Sequence, residues 1–415
     1  MSETEPTTPT HGLGRTEIIA MVAAMIAINA TAIDIMLPGM QAIGAALGEA
    51  DENRRQLVVT AYLLGFGTLQ LLFGPLSDRL GRRRPLLFGL SVYAAAALAA
   101  ILVERFDMLL ALRFLQGAGA AASVVVAIAF VRDLFGGRQM AEVMSLVMMV
   151  FMITPVVAPI AGQLIMLSGE WRLVFLFMAA VGGLVALWVG TRMPETLPPE
   201  RRRPFTPSVV IAGFALVAGQ RTSASYILAT AAILGALFAF IGSSPQVYAG
   251  LYGMGVWFPL AFAAVASAMA LGSFANSRLV RRLGMRRMGH TALLGFLALS
   301  LVLTGLAALG PVPLWLYLPL FALTMMCFAG IGSNFGAIAM EPLGHVAGTA
   351  ASAQGFTQMI LGASLGAVIG QRFDGTVLPL VSGFALLAAV ALALVLFAER
   401  GRLFGGATAS PAARL

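Results

Sequence analysis

The sequence predicts an all-α membrane protein with twelve transmembrane helices arranged in two six-helix bundles. Only 11% of the 415 residues are charged and 59% are apolar, whereas about a quarter of the residues in a soluble domain are charged. The apolar residues come in blocks of about 20, the length that crosses a bilayer as a helix. Helices satisfy their own backbone in lipid, and the blocks lack the alternating polarity of barrel strands.

Twelve apolar blocks follow one another, separated by turns that carry most of the charge. Those of the first half cover 16–40, 55–76, 85–103, 107–131, 141–167 and 172–191. Those of the second half cover 224–248, 252–277, 288–309, 313–340, 348–371 and 376–398. The segment 192–222 breaks the series, because its opening RMPETLPPERRRPFTP is rich in Pro and Arg. The following SVVIAGFALVAGQ is too short for a span, so we predict a helix on the membrane surface.

This pattern divides the chain into two halves with short polar ends. We predict a cytoplasmic tail 1–14, a bundle 15–191, a cytoplasmic linker 192–222, a bundle 223–399 and a cytoplasmic tail 400–415. The strings RLGRRR (79–84) and RLGMRR (282–287) each follow the second span of their half. Two related halves of this kind are common in secondary transporters.

The arginines predict the topology. All 26 basic residues are Arg, and with the N-terminus inside, 20 of them fall on cytoplasmic loops and tails. Only five fall on the opposite side: Arg54, Arg55, Arg105, Arg172 and Arg372. By the positive-inside rule, we expect a multi-pass protein of the bacterial inner membrane with both termini cytoplasmic. The net charge of +8 then reflects topology, and no nucleic-acid partner is expected.

A charged turn lies between the second and third spans. GPLSDRLGRRRP (74–85) contains Gly74, Asp78, Arg79, Gly81, Arg82 and Arg83. Gly81 permits a tight turn with positive φ. Asp78 ends a span, and the arginines can pair with an acid on a nearby loop, for which Asp133 is the natural candidate. The simplest interpretation is an anchor that fixes topology.

Two ionisable residues lie well inside spans, Asp34 in the first and Arg113 in the fourth. Their depths differ by only about 5 Å, so we expect a pair across a central cavity. A carboxyl at such a place is by default a proton or cation site. A permanent structural salt bridge is the alternative. The small residues that follow Arg113 in RFLQGAGAA (113–121) allow close approach of another helix.

The fifth span contains TPVVAPIAG (154–162), with Pro155, Pro159 and Gly162. Both prolines remove a helical hydrogen bond and favour a bend. A kinked helix with a packing role alone is one interpretation.

These motifs resemble the major facilitator superfamily. The family pattern G-x-x-x-D-R-x-G-R-R is fully matched from Gly74 to Arg83, and R-x-x-Q-G-x-G-A-A is matched by residues 113–121. The fifth-span string is similar to the Gly-Pro-x-x-Gly-Gly motif of drug/proton antiporters, with Ala158 and Gln163 replacing two glycines. The strings DIMLP (34–38), NSRLVRRLG (276–284) and HVAGTAASAQG (345–355) narrow the resemblance to the bicyclomycin/chloramphenicol-resistance (Bcr/CflA) branch.

The resemblance implies a function. It implies an exporter of small amphiphilic, drug-like compounds driven by proton antiport through alternating access, with the 74–83 turn and Asp133 acting as a latch on the access state. A proton-coupled importer of a small metabolite is the alternative on the same fold. We expect a monomer in the lipid bilayer whose partners are protons and a small molecule. No Walker, HExxH or CxxC pattern occurs, so we predict no enzyme, cofactor or metal.

The substrate cavity is predicted from polar, aromatic and flexible residues inside spans: Asn29, Thr31, Tyr62, Phe66, Gln116, Met148, Met152, Asn334, Gln354 and Gln358. Methionine adapts to varied apolar ligands. Hydrogen bonding between helices, or plain packing, is the alternative for each of them.

Overall fold

The computed structural model describes residues 12–202 and 207–405, without the side chains of residues 138, 141, 151, 207–210 and 344–349. Every regular element in these ranges is helical, as predicted. The first half contains α1 (Arg15–Asp34), α2 (Met40–Ala46), α3 (Glu52–Arg55), α4 (Leu57–Leu80), α5 (Arg83–Ile101), α6 (Phe106–Leu134), α7 (Gly137–Met166) and α8 (Arg172–Arg192). The second contains α9 (Pro207–Gly219), α10 (Arg221–Ser244), α11 (Phe258–Leu283), α12 (Met285–Leu309), α13 (Leu314–Met340), α14 (Ala347–Gly370) and α15 (Leu378–Ala398).

Eleven helical segments in the described ranges are long and apolar enough to cross a membrane. They correspond to eleven of the twelve predicted spans. The remaining prediction, 348–371, coincides with α14, a helix of 24 residues. Its two glutamines, Gln354 and Gln358, reduce its apolar character.

The first span is broken where a continuous helix was predicted. Regular α-helix ends at Asp34, a 3-10 turn covers Leu37–Gly39, and α2 follows. Pro38 has no N–H to donate to the carbonyl of Asp34, four residues earlier, and it disfavours helix at Leu37. The break therefore lies directly after the only carboxylate that we expected deep in the membrane.

Each half packs as a bundle, and two helix pairs provide most of the contact between the halves. In the first half α4 and α5 pack on α6, while α1 contacts α6, α7 and α8. In the second half α10 contacts α13, α14 and α15, and α12 lies against α13 and α15. Between the halves, α4 runs along α14 and α7 contacts α11.

Glycine allows the closest helix contact of the first half. A Cβ at Gly117 would lie 1.9 Å from the carbonyl oxygen of Tyr62, and one at Gly65 would lie 2.0 Å from that of Phe114. No side chain fits at either distance, so α4 and α6 pack backbone to backbone. The close approach expected for the motif at 113–121 is present.

The linker contains a helix where a surface helix was predicted. This is α9, and its Phe214 ring packs edge-on against Phe356 of α14 with centroids 5.6 Å apart. The boundaries of the tails, linker and bundles remain a prediction. Residues 1–11, 203–206 and 406–415 lie outside the described ranges.

Candidate functional site

Asp34 is a buried carboxylate at the break in the first span. Only 4% of the residue is exposed, and its side-chain carboxylate makes no hydrogen bond or ion pair with any described residue. Buried carboxylates are normally paired or fully hydrogen-bonded. A carboxyl left free inside a membrane bundle is suited to bind a proton or a cation.

Arg113 is the most completely buried charge of the first bundle, with 0% exposure. It donates to the carbonyl of Ala32 on α1 (2.9 Å), the carbonyl of Val58 on α4 (3.3 Å) and the side chain of Gln116 (2.5 Å). Its guanidinium lies 4.5 Å from the centre of the Tyr62 ring. The charge is therefore held by neutral dipoles and an aromatic face, which can stabilise a buried arginine.

The predicted pair of Asp34 with Arg113 is wrong in this structure. The depth estimate was close, because the guanidinium reaches Ala32, two residues before Asp34. Residues i and i+2 of a helix do not face the same side, however. The carboxylate consequently misses the guanidinium, and no ion pair joins the two.

The fifth-span motif packs directly on the break beside Asp34. A Cβ at Gly162 would lie 1.9 Å from the carbonyl oxygen of Ile35, and one at Gly39 would lie 2.7 Å from the sulfur of Met166. Pro159 is buried, and Pro155 is half-buried. α7 nevertheless continues as one helix through both prolines. The structure thus brings Gly162 against Ile35, the residue next to Asp34, a proximity that the sequence did not predict.

The predicted cavity residues fall into separate groups. In the first bundle, Tyr62 donates its hydroxyl to Asn29 (2.9 Å), and Gln116 donates to the sulfur of Met178 (3.7 Å). Thr31 is half-buried on α1, and Phe66 is buried on α4. Asn29, Tyr62 and Gln116 form one polar network with Arg113 across α1, α4, α6 and α8.

Asn334 belongs to a second network, in the other bundle. Its amide donates to Asn276 of α11 (2.6 Å) and to the carbonyl of Gly330 (2.7 Å), and Asn276 donates to Ser333 (3.1 Å). These bonds join α11 to α13. This is the helix–helix role that we held open as the alternative for buried polar residues.

Gln354 and Gln358 lie on α14, the helix that faces α4 across the two halves. One polar atom of each is buried without a hydrogen-bond partner, and the same holds for Gln70 on α4. A Cβ at Gly355 would lie 3.2 Å from the amide nitrogen of Gln70. Unpaired amide groups at a helix interface are candidates for contact with a ligand or water.

Met148 lies in the first half of α7, and Met152 lies at its middle. They are 40% and 37% exposed, respectively. Neither is packed into the bundle, so both are available to lipid or to a ligand.

The turn between α4 and α5 forms the predicted charge cluster. Arg82, with 4% of its side chain exposed, donates to Asp133 (2.8 Å), Asp78 (2.6 Å) and Ser77 (3.0 Å). Gly81 adopts φ 88°, which only glycine tolerates easily. Burial acts to lower the pKa of Arg82, but its bonds to Asp133 and Asp78 outweigh this and raise the pKa, so the guanidinium stays charged.

The other members of the motif are placed around this cluster. Arg79 is exposed, Arg83 donates to the carbonyl of Gly190, and Gly74 faces α14. Arg82 is thus the arginine of the motif that forms the ion pair with Asp133. We refer to Asp78, Arg82 and Asp133 as the latch cluster.

Glu195, in the proline-rich stretch after α8, completes the turn and was not predicted. Its carboxylate accepts the backbone N–H groups of Arg82 (2.7 Å) and Arg83 (3.2 Å), so it caps the start of α5. Thr196 also donates to Asp133 (3.0 Å). The partners lie 63 to 113 residues apart in the sequence, so no local pattern predicts these contacts.

The second half contains a counterpart of this turn. Gly284 has φ 82°, and Arg286 pairs with Glu341 (2.9 Å) and Glu399 (2.9 Å). Glu399 also accepts the Tyr226 hydroxyl (2.9 Å), which lies 2.8 Å from the Nε2 of His290. The two copies of the RLG string therefore occupy similar charged turns, each stabilised by carboxylates from later in its own half.

A cluster of polar side chains, mostly amides, joins the halves at the face where α4 begins and α14 ends. Seven hydrogen bonds connect the α3–α4 region with α10 and the end of α14. We name this cluster the amide lock; its members are Asn53, Gln56, Ser243, Gln246 and Gln371. Gln246 lies in a π-helical turn, Pro245–Leu251, that extends α10. Such turns often occur at functional sites.

Comparison with known proteins supports this architecture. A family model described as Major Facilitator Superfamily matches residues 19–367. The chain is 35% identical over 357 residues to a bicyclomycin resistance protein homolog of Haemophilus influenzae, over 84% of this chain and 87% of the relative. It is 32% identical over 358 residues to a chloramphenicol resistance protein of Pseudomonas aeruginosa, over 81% and 80%. A D-xylose-proton symporter of known structure matches with a TM-score of 0.72 at 13% identity, over 95% and 99%.

Fold and matches together define a multi-pass membrane transporter rather than an enzyme. The chain belongs to the major facilitator superfamily. This confirms the resemblance drawn from the motifs at 74–83 and 113–121, and the relatives named for bicyclomycin and chloramphenicol resistance agree with the predicted branch.

Proposed function

We propose that this protein exports small amphiphilic compounds from the cytoplasm across the bacterial inner membrane in exchange for protons. The observation that carries the proposal is Asp34, a buried carboxylate that lies at a break in a membrane helix and has no partner among the described side chains. The names of relatives that cover most of the chain support drug-like substrates. The compounds would lie between the halves, near α4, α7 and α14.

Asp34 couples transport to protons in this proposal. It takes a proton when the site faces outward, and the neutral carboxyl favours release of the substrate. Loss of the proton towards the cytoplasm prepares the site for the next molecule. Arg113 acts on the backbone through its bond to Ala32, while Gly162 contacts the other side of the break at Ile35.

Alternating access requires the halves to separate at each face in turn. At the face where α4 begins, the amide lock is closed and must break before the site can open there. Its bonds are between neutral groups, so breaking them leaves no uncompensated charge. At the other face, the latch cluster lies where α4 ends, beside its contact with α14, and we assign it a bias on the access equilibrium.

Proton movement in everted membrane vesicles tests this proposal. A susceptibility panel in an exporter-deficient host first identifies a compound to which the protein confers resistance. Vesicles with an acidic lumen then receive that compound from outside, on the original cytoplasmic face. An antiporter releases lumenal protons when the compound is added, which a pH-sensitive dye reports.

An importer of a small metabolite is the rival on the same fold, because Ala158 and Gln163 depart from the antiporter motif. The similarity to a sugar symporter does not favour it, since 13% identity shows the fold alone. A symporter would not release lumenal protons in the vesicle experiment. Failure of every compound in the panel to do so would overturn the proposal.

A further inference from the structure

A cavity of about 400 Å³ lies beside the latch cluster, where α5 begins and α8 ends. Its lining residues are Arg83, Arg84, Leu87, Glu195 and Arg202. Three guanidinium groups and one carboxylate leave an excess of two positive charges. Such a cavity favours an anion with oxygen acceptors.

The one carboxylate in the lining does not pair with these arginines. Glu195 already accepts the backbone N–H groups of Arg82, Arg83 and Leu197. It is therefore committed to capping α5, and no described ion pair joins it to a guanidinium.

Two of the guanidinium groups have a buried N–H donor that lacks an acceptor. The Nε atoms of Arg83 and Arg202 are buried and have no hydrogen-bond partner. Arg83 is held in place through another nitrogen, which donates to the carbonyl of Gly190 on α8. A buried donor without an acceptor is costly, so the site is incomplete as it stands.

The apolar wall of the cavity leads towards the membrane. Leu87 is one turn into α5, a membrane-crossing helix, and its side chain lies beside Gly190 of α8. An anion that carries an acyl chain can therefore place its charged group among the arginines and its chain along α5 and α8. Basic pockets between membrane helices bind lipid headgroups in this way.

We propose that this cavity binds a phosphate group, delivered by the headgroup of an acidic phospholipid. Free phosphate presents the same oxygen acceptors to the arginines, and only the lipid uses the Leu87 wall. This site is separate from the proposed transport site at Asp34 and does not depend on the transported compound.

Binding of phosphatidylglycerol to the purified full-length protein in detergent tests the site, with native mass spectrometry as the readout. Dioleoylglycerol, which has the same chains without phosphate, is the control ligand. The double variant Arg84→Gln/Arg202→Gln should weaken phosphatidylglycerol binding by about fivefold for each charge removed. Arg281→Gln/Arg282→Gln, which removes two exposed arginines from α11, is the matched control and should change binding less than about twofold.

An excess of inorganic phosphate distinguishes the two sources. If phosphate does not displace phosphatidylglycerol, the lipid is the ligand. If phosphate alone displaces it and binds with the same dependence on Arg84 and Arg202, the same site is filled by the soluble anion. Equal loss in both double variants, wild-type binding in Arg84→Gln/Arg202→Gln, or equal binding of dioleoylglycerol would overturn the proposal. The variant Arg83→Gln also loses the hydrogen bond to the Gly190 carbonyl. Its melting temperature is therefore compared with that of the wild type, so that misfolding is not mistaken for lost lipid binding.

Discussion

At the scale of single residues, Arg82 and Arg79 show how differently two neighbouring arginines of one motif are used. Arg82 is buried and bonds to Asp133, Asp78 and Ser77, whereas Arg79 is exposed. Exposed single charges contribute little to stability. A buried guanidinium between carboxylates contributes more, because its removal strands the partners.

Replacing Arg82 with Gln should therefore destabilise the protein by about 3 kcal/mol, while Arg79→Gln should cost less than about 0.5 kcal/mol. Thermal unfolding of the purified variants in one detergent measures the difference. Equal melting temperatures for the two variants would show that the latch cluster does not stabilise this conformation.

The sequence named Asp133 as the candidate partner for the arginines of the turn, because it follows the fourth span on the same side of the membrane, but it did not single out Arg82. It could not predict Glu195, whose role depends on how the proline-rich stretch returns to α5. The partner of Asp34 was mispredicted for another reason. Depth in the membrane follows from residue counting, but the direction of a side chain depends on how the helix is rotated about its axis, which counting does not give.

At the scale of elements, contacts of glycine with backbone carbonyl groups determine how closely the helices pack. Gly117 brings α6 against the Tyr62 carbonyl of α4, and Gly162 brings α7 against the Ile35 carbonyl of the broken first span. Small residues at such crossings were expected from RFLQGAGAA. The role of Gly162 was harder to foresee, because it depends on the break after Asp34.

Gly117→Ala should destabilise the first bundle by about 2 kcal/mol or more, because the added methyl group forces α4 and α6 apart. Gly183→Ala on α8 is the matched control, since a Cβ there meets nothing within 4 Å. That change should be neutral or slightly stabilising, because alanine favours helix more than glycine does. Thermal unfolding distinguishes the two, and an unchanged melting temperature for Gly117→Ala would contradict the backbone-to-backbone packing.

At the scale of the whole molecule, the two halves meet along α4 and α14 and are joined by the amide lock. Neither the lock nor its participants were predicted, because amides from separate halves leave no local pattern in a sequence. The bundle architecture was predictable from span counts and the repeated RLG string. The arrangement of the halves depends on contacts such as that of Asn53 with Gln371, which only the folded molecule reveals.

Covalent cross-linking of the two halves at the amide lock should stop transport. Asn53 and Gln371 each donate a side-chain amide to a carbonyl of the other segment, at 3.2 and 2.6 Å. The sequence has one cysteine, Cys327, which is first replaced by serine. In that background, Asn53→Cys/Gln371→Cys joined by a disulfide or a short bismaleimide should reduce transport to background, and reduction of the disulfide should restore it. The single variant Asn53→Cys under the same treatment is the control. Undiminished transport by the cross-linked protein would show that the halves need not separate at this face.

The most direct measurement is concentrative uptake into proteoliposomes under an imposed pH gradient, comparing Asp34→Asn with the wild type. Glu104→Gln, at an exposed acid outside the spans, is the matched control and should behave as the wild type. We predict that Asp34→Asn loses uptake driven by the gradient and keeps substrate exchange without one, which also shows that the variant is folded. Gradient-driven accumulation by Asp34→Asn at the wild-type level would contradict a proton-coupling role for this carboxylate.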